Sequence, residues 1–156
     1  MAKRSAGILL FRQRDELEVF LVHPGGPLWA KKDAGTWTIP KGEFEDDEDP
    51  LAAARREFVE ETGFSPEGEF HDMKEIRQAG GKRVRAWAVE GDYDAANLSS
   101  NTFSMEWPPR SGKIREFPEV DRGCWFSIAD AVEKMNPAQA AWLVELVDWL
   151  ATNRER

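Results

Sequence analysis

A chain of 156 residues, 41% hydrophobic and 32% charged with nine Phe and seven Trp, has enough bulky apolar surface for one domain core over residues 1–156, and disorder is not expected. Its net charge of −8 sets a repulsive mean field against a large polyanion, which disfavours RNA and DNA as partners but leaves room for a small phosphorylated ligand or a divalent cation. Cys124 is the only cysteine, so an internal disulfide and a cysteine-based zinc cluster are excluded, and its flanks Gly123, Trp125 and Phe126 read as core.

From the N-terminus, a basic start leads into an apolar run at residues 6–11 that Arg12 breaks, too short for a signal core or a membrane span. The expectation is a cytoplasmic protein without a membrane anchor, monomeric or a homodimer. The stretches AGILLFR and LEVFLVHP, split by a charged turn at 13–16, read as an antiparallel hairpin, and a third strand is expected at 36–39. Pro24, Gly25, Gly26 and Pro27 mark a turn, followed by a loop carrying Trp29, Lys31 and Lys32. His23 reads as a strand-end or loop histidine, with a substrate contact as the alternative.

Asp49 as N-cap, Pro50 at the first helical position and Gly63 as terminator predict a helix over 50–62. Residues 69–79 and 83–90 read as a second pair of strands around Gly80 and Gly81. Residues 99–112, with two prolines and no clear period, read as a long loop. A short strand near 124–126, a helix over 128–135 capped by Ser127, and a last helix over 137–153 complete the chain, and no internal repeat is present.

On the predicted helix, at about 100° per residue, Glu57, Glu60 and Glu61 fall within an arc of about 100°, beside an apolar face of Leu51, Ala54 and Phe58. Three carboxylates on one side of a cleft repel each other unless protons or cations intervene, and hard oxygen donors at this density suit Mg²⁺ or Mn²⁺. The plain alternative is a solvated acidic face with surface ion pairs from Arg55 or Arg56. Gly42, which permits close backbone approach, and Glu48, placed to hold Arg56, favour the metal reading.

The segment from Gly42 to Phe64 resembles the signature of the Nudix hydrolases: Gly, five residues, Glu, seven residues, then Arg-Glu-apolar-x-Glu-Glu-x-Gly-apolar. SAGILLFR, LEVFLVHP and WTIPKGE precede it in the expected order, so the resemblance runs from Ser5 to about Leu150. It implies an α/β fold with a mixed β-sheet between α-helices (α/β/α), and hydrolysis of a nucleoside diphosphate linked to another group. It also implies metal ligation by Glu57, Glu60, Glu61 and the Gly42 carbonyl, orientation of the cluster by Arg56, and a phosphate contact from Lys41. A further glutamate outside the box, as metal ligand or general base, corresponds to Glu119, with Glu116 as competitor.

The overall pattern is similar to asymmetric dinucleoside tetraphosphate hydrolases, with Arg83, Arg85 and Trp87 toward phosphate and base, although Trp87 reads equally as core. A dinucleoside polyphosphate or a nucleoside triphosphate is therefore the first expectation. Oxidised nucleotides, an RNA 5′ end, or a non-catalytic nucleotide-sensing module are the alternatives. Phe58 stands where an aliphatic residue is commoner.

Overall fold

The computed structural model describes residues 3–154. Among the described residues there are nine strands: β1 (Arg4–Gln13), β2 (Leu17–Pro24), β3 (Lys41–Glu43), β4 (His71–Asp72), β5 (Ile76–Arg77), β6 (Arg83–Glu90), β7 (Thr102–Glu106), β8 (Ile114–Pro118) and β9 (Val120–Ser127). The helices are α1 (Pro50–Thr62), α2 (Ile128–Lys134) and α3 (Ala141–Arg154).

The main sheet runs β4-β6-β1-β2-β9, with β3 paired to β1 and β5 to β6. β1 and β6 are parallel, Ile8 opposite Trp87, while β1–β2, β1–β3 and β2–β9 are antiparallel, so the sheet is mixed. Both faces are covered, which is why β1 reads as a continuous apolar run rather than an alternation. Ile8, Leu10, Phe20, Val22 and Trp87 pack under Ala53, Ala54 and Phe58 of α1. Leu9, Phe11, Val19 and Leu21 point the other way, to Ala131 and Met135 at α2 and Trp142, Leu143 and Leu146 of α3. The architecture is the expected α/β/α sandwich.

The capping signals hold for α1. Asp49 accepts the Ala52 N–H at 2.9 Å, Pro50 begins the helix, and Gly63, at φ 82°, closes it with its N–H on the Val59 carbonyl. α2 starts on the Ser127 side chain as expected. The last helix starts later than predicted, because Pro137–Gln139 forms a separate 3₁₀ turn before α3.

Three expectations need correction. Residues 36–39 form isolated bridges, not a strand: Thr38 pairs with Val22 and Trp37 with Met135, while the Ile39 N–H goes to the Gln139 side chain at 3.1 Å. With its backbone groups sent to different partners, the segment cannot build a ladder, and the strand forms after Pro40, at β3. The expected strand over 69–79 splits into β4 and β5, because α3 takes the backbone between them: Glu145 accepts the Lys74 N–H at 3.0 Å and Trp142 Nε1 donates to the Lys74 carbonyl at 2.8 Å. The long loop at 99–112 contains β7, which pairs with β8 in a separate two-stranded hairpin, Phe103 opposite Phe117. Phe103, Met105 and Trp107 alternate as a strand should, and the prolines that obscure the pattern sit in the turn at the tip.

Candidate active site

The site begins with a steric requirement. β3 places Gly42 opposite Ala6, and a Cβ on Gly42 would overlap the Glu57 carboxylate, so only glycine lets α1 bring that group against the strand. The Glu57 side chain is consequently only 14% exposed. One turn further, Glu61 is 9% exposed, with the Lys41 backbone N–H bonded to its carboxylate.

Arg56 ties the acidic cluster together. Its guanidinium donates to both Glu48 oxygens, at 3.0 and 3.2 Å, to Glu57 at 2.9 Å and to Glu60 at 3.3 Å. These bonds, Glu48 foremost, hold its pKa above the ordinary arginine value. One cation shared among three acids leaves the cluster strongly negative.

The electrostatics show the remaining imbalance. Burial, then the charges of Glu57 and Glu119, push the Glu61 carboxyl up to about 8 against the opposing pull of Lys41. Burial and the charge of Glu60 raise Glu57, with Arg56 acting against them. The Lys41 ammonium is lowered by burial and by Lys82, with Glu61, Glu43 and Glu57 opposing. The site therefore holds more carboxylate than its cations neutralise.

Glu119 reaches this cluster through a second backbone device. Gly25 donates its N–H to the Glu119 carbonyl at 2.9 Å, and a Cβ on Gly25 would run into the Pro118 carbonyl. Asn101 donates its N–H to the Glu60 carbonyl and accepts the Glu119 N–H, both at 2.8 Å, and Ser99 bonds the Thr62 carbonyl at 2.9 Å. The end of α1 and the Glu119 corner are thus stapled through residues 99–101. Residues 99–101 read in the sequence only as the start of a long loop; the run Ser99, Ser100, Asn101 is a local capping signal that points to the staple. Lys82 beside Lys41 was also missed, because its nearness comes from the β1–β6 pairing.

The predicted residues sort into two groups. Lys41, Gly42, Arg56, Glu57, Glu60, Glu61 and Glu119 come together. Glu116 does not: it is exposed on β8, bonded to the Thr102 hydroxyl at 2.8 Å. Trp87, 6% exposed, packs under α1 as core, so its expected base contact gives way to burial. Arg85 is engaged by Asp72 at 3.2 Å and lies over the Trp87 ring, while Arg83 lines a separate cleft of about 510 Å³ with Lys3, Arg4 and Glu43. His23, expected at a strand end or loop, is fully buried at the end of β2, bonded to Asp121 and the Lys32 carbonyl.

The donor set suits a hard divalent cation: all oxygen, excess negative charge, and a buried Glu61 that a cation would relieve. Among the described residues, no three Asp, Glu, His or Cys side chains already converge on one point, since Glu57 and Glu60 turn toward Arg56. Ligation requires those two carboxylates to rotate off the guanidinium.

A family model described as NUDIX domain matches residues 1–150. The chain belongs to this family. Nudix proteins work with divalent metal ions, and the chain is a Nudix-type pyrophosphohydrolase. It is 31% identical over 120 residues, 72% of each chain, to an RNA pyrophosphohydrolase of Roseobacter denitrificans. Its Nudix fold superposes on a C. elegans Ap4A hydrolase in a binary complex with a TM-score of 0.67 at 23% identity, covering 97% of this chain and 99% of that one. The NUDIX domain of Shewanella oneidensis NrtR, complexed with ADP ribose, gives 0.62 at 18% identity over 100% and 90%. Among the described residues no helix is long and apolar enough to cross a membrane.

Proposed function

We propose that the chain hydrolyses a P–O–P bond in a dinucleoside polyphosphate or nucleoside triphosphate, with Mg²⁺ held by Glu57, Glu60, Glu61, Glu119 and the Gly42 carbonyl; Mn²⁺ suits the same donors. The observation that carries this reading is the concentration of carboxylate around Glu57 and Glu61, beyond what Lys41 and Arg56 neutralise. Bound there, divalent cations supply activated water and screen phosphate charge from an acidic protein.

The chain's own groups do the rest. Lys41 presents its ammonium to a substrate phosphate oxygen and limits the repulsion between phosphate and Glu61. Arg56 orients Glu57 and Glu60, and its two bonds to Glu48 would keep it in place if those carboxylates turned to hold metal. A carboxylate, either a box glutamate or Glu119, which is exposed above the cluster and fixed by its backbone, accepts the proton of the attacking water. Water attacks phosphorus, the bridging oxygen leaves with the electron pair of the broken P–O bond, and Lys41 together with a bound divalent cation would offset the negative charge it carries.

A second reading, removal of pyrophosphate from an RNA 5′ end, is supported by the Roseobacter relative and opposed by the net charge of −8. The complete box speaks against a purely sensing module. Incubation in ¹⁸O water with Mg²⁺ and a panel of dinucleoside polyphosphates, NTPs, oxidised dNTPs, ADP-ribose and triphosphorylated RNA, read by mass spectrometry, names the substrate and the phosphorus attacked. Selective turnover of triphosphorylated RNA would replace the first reading with the second, and no turnover with Mg²⁺ or Mn²⁺ would refute both.

A further inference from the structure

On the face of the sheet opposite α1 lies a cleft of about 560 Å³, walled by the turn at residues 30–33, the start of β9 and the end of α2. Four cations line it, Lys31, Lys32, Arg122 and Lys134, against one carboxylate, Asp33. Asp33 is already engaged by Lys134 and by Trp37 Nε1. Lys31 and Lys32 are exposed and, among the described residues, have no carboxylate partner; the Lys32 ammonium sits over the Trp29 ring, 4.9 Å from its centroid. Arg122 is paired with Asp121 at 3.5 Å, so Lys31 and Lys32 are the cations left in excess, a local positive charge in a chain of net charge −8 that favours an anion.

The charged turn is nevertheless held in place. Fully buried His23 bonds the Lys32 carbonyl through Nε2 at 2.7 Å and Asp121 through Nδ1 at 2.9 Å. The Gly35 N–H bonds the Glu133 carbonyl, and the Trp37 N–H bonds that of Lys134, at 3.0 and 2.9 Å. Beneath the cations, Trp37 and Phe126 meet edge to face at 5.0 Å, and the Arg122 guanidinium covers Trp37. The cleft thus combines preorganised cations with an aromatic floor.

Its position relates it to the hydrolytic site. β1 and β6 begin, β2 ends and β9 begins at one end of the sheet, and Arg122 follows Glu119 by three residues, at most about 10 Å of chain. We propose that this cleft is an anion subsite that takes a phosphate group distal to the bond cleaved, through Lys31, Lys32 and Arg122, and so selects extended over short substrates. The proposal rests on the reading that a phosphorylated nucleotide is hydrolysed beside Glu119, and adds which substrates are preferred.

The test uses Lys31→Gln/Lys32→Gln, two exposed changes outside the hydrolytic cluster that leave folding intact. Inorganic triphosphate is titrated into the full chain in EDTA and followed through the Trp37 indole N–H resonance. A saturable shift in the parent protein, weakened about tenfold in the double variant, is expected from the loss of two charge-assisted contacts. No saturable shift, or equal affinity in both proteins, overturns the subsite. In parallel, with Mg²⁺, KM for diadenosine tetraphosphate rises about tenfold in the variant at unchanged kcat, while ADP-ribose, which has no phosphate beyond the bond cleaved, is unaffected. An equal change for both substrates also overturns it. A parent protein that binds triphosphate but turns over neither nucleotide refutes the functional reading alone.

Discussion

Gly42→Ala isolates the close approach on which the acidic cluster depends. Gly42 is not among the positive-φ residues, so alanine fits the backbone and the whole effect is steric: the new methyl competes with the Glu57 carboxylate for one position. Either β3 moves off α1 or Glu57 leaves its place, and overpacking of this kind costs about 1–3 kcal/mol. Glu57→Ala alone should cost less than about 1 kcal/mol, because burial already disfavours its charge and the Arg56 bond it loses is partly exposed. The double variant removes both competitors, so its cost should fall below the sum of the single costs by about 1–2 kcal/mol. Urea denaturation of the four proteins in EDTA measures this coupling directly. Additive costs, within the usual error of about 0.5 kcal/mol, would show that Gly42 and Glu57 do not meet as described and would refute the steric argument.

Further outcomes follow from the same structure. Glu61 has its folded-state pKa raised from 4.5 to about 8, so in EDTA the stability it provides is full below about pH 4.5 and is lost as pH rises through 8. The loss has a ceiling of about 5 kcal/mol, and Glu61→Gln should flatten the profile; a flat profile for the parent chain between pH 5 and 9 would contradict the burial of that carboxyl. Glu60→Gln and Glu61→Gln should each keep the fold by circular dichroism and lower metal-dependent turnover by about 10²-fold or more, and retained turnover in both would sink the metal-site assignment. Arg110 holds φ at 62° in the exposed hairpin tip, so Arg110→Gly should raise stability by about 0.5–1 kcal/mol in thermal unfolding, and a decrease would argue against that conformation.

What could be read from the chain was what neighbours in sequence decide. α1 was legible to the residue because Asp49, Pro50 and Gly63 act within a few positions of each other, and its acidic face follows from helical spacing alone. The short pieces were not legible, because distant side chains settle them: Gln139 takes the Ile39 N–H, and Glu145 and Trp142 take the backbone of Lys74. Trp87 and Arg85 share one face of β6, yet α1 lies over Trp87 while Asp72 occupies Arg85, and sequence spacing contains neither fact. The corner carrying Glu119 was located by its resemblance to a known pattern, but the staple that fixes it, through Asn101 and the Glu60 carbonyl, depends on a hairpin hidden by its prolines.

That staple bears on how the protein can change. Both roots of the β7–β8 hairpin are fastened, one to the last turn of α1 and the other to Gly25 beside Glu119, while its tip at residues 108–113 is wholly exposed. Length or composition can therefore vary at the tip without moving either root, since a loop inserted beyond a paired stem adds only a slowly growing entropic cost. The hairpin is a natural grafting point: new sequence there leaves the spacing between Glu119 and the helix carboxylates unchanged.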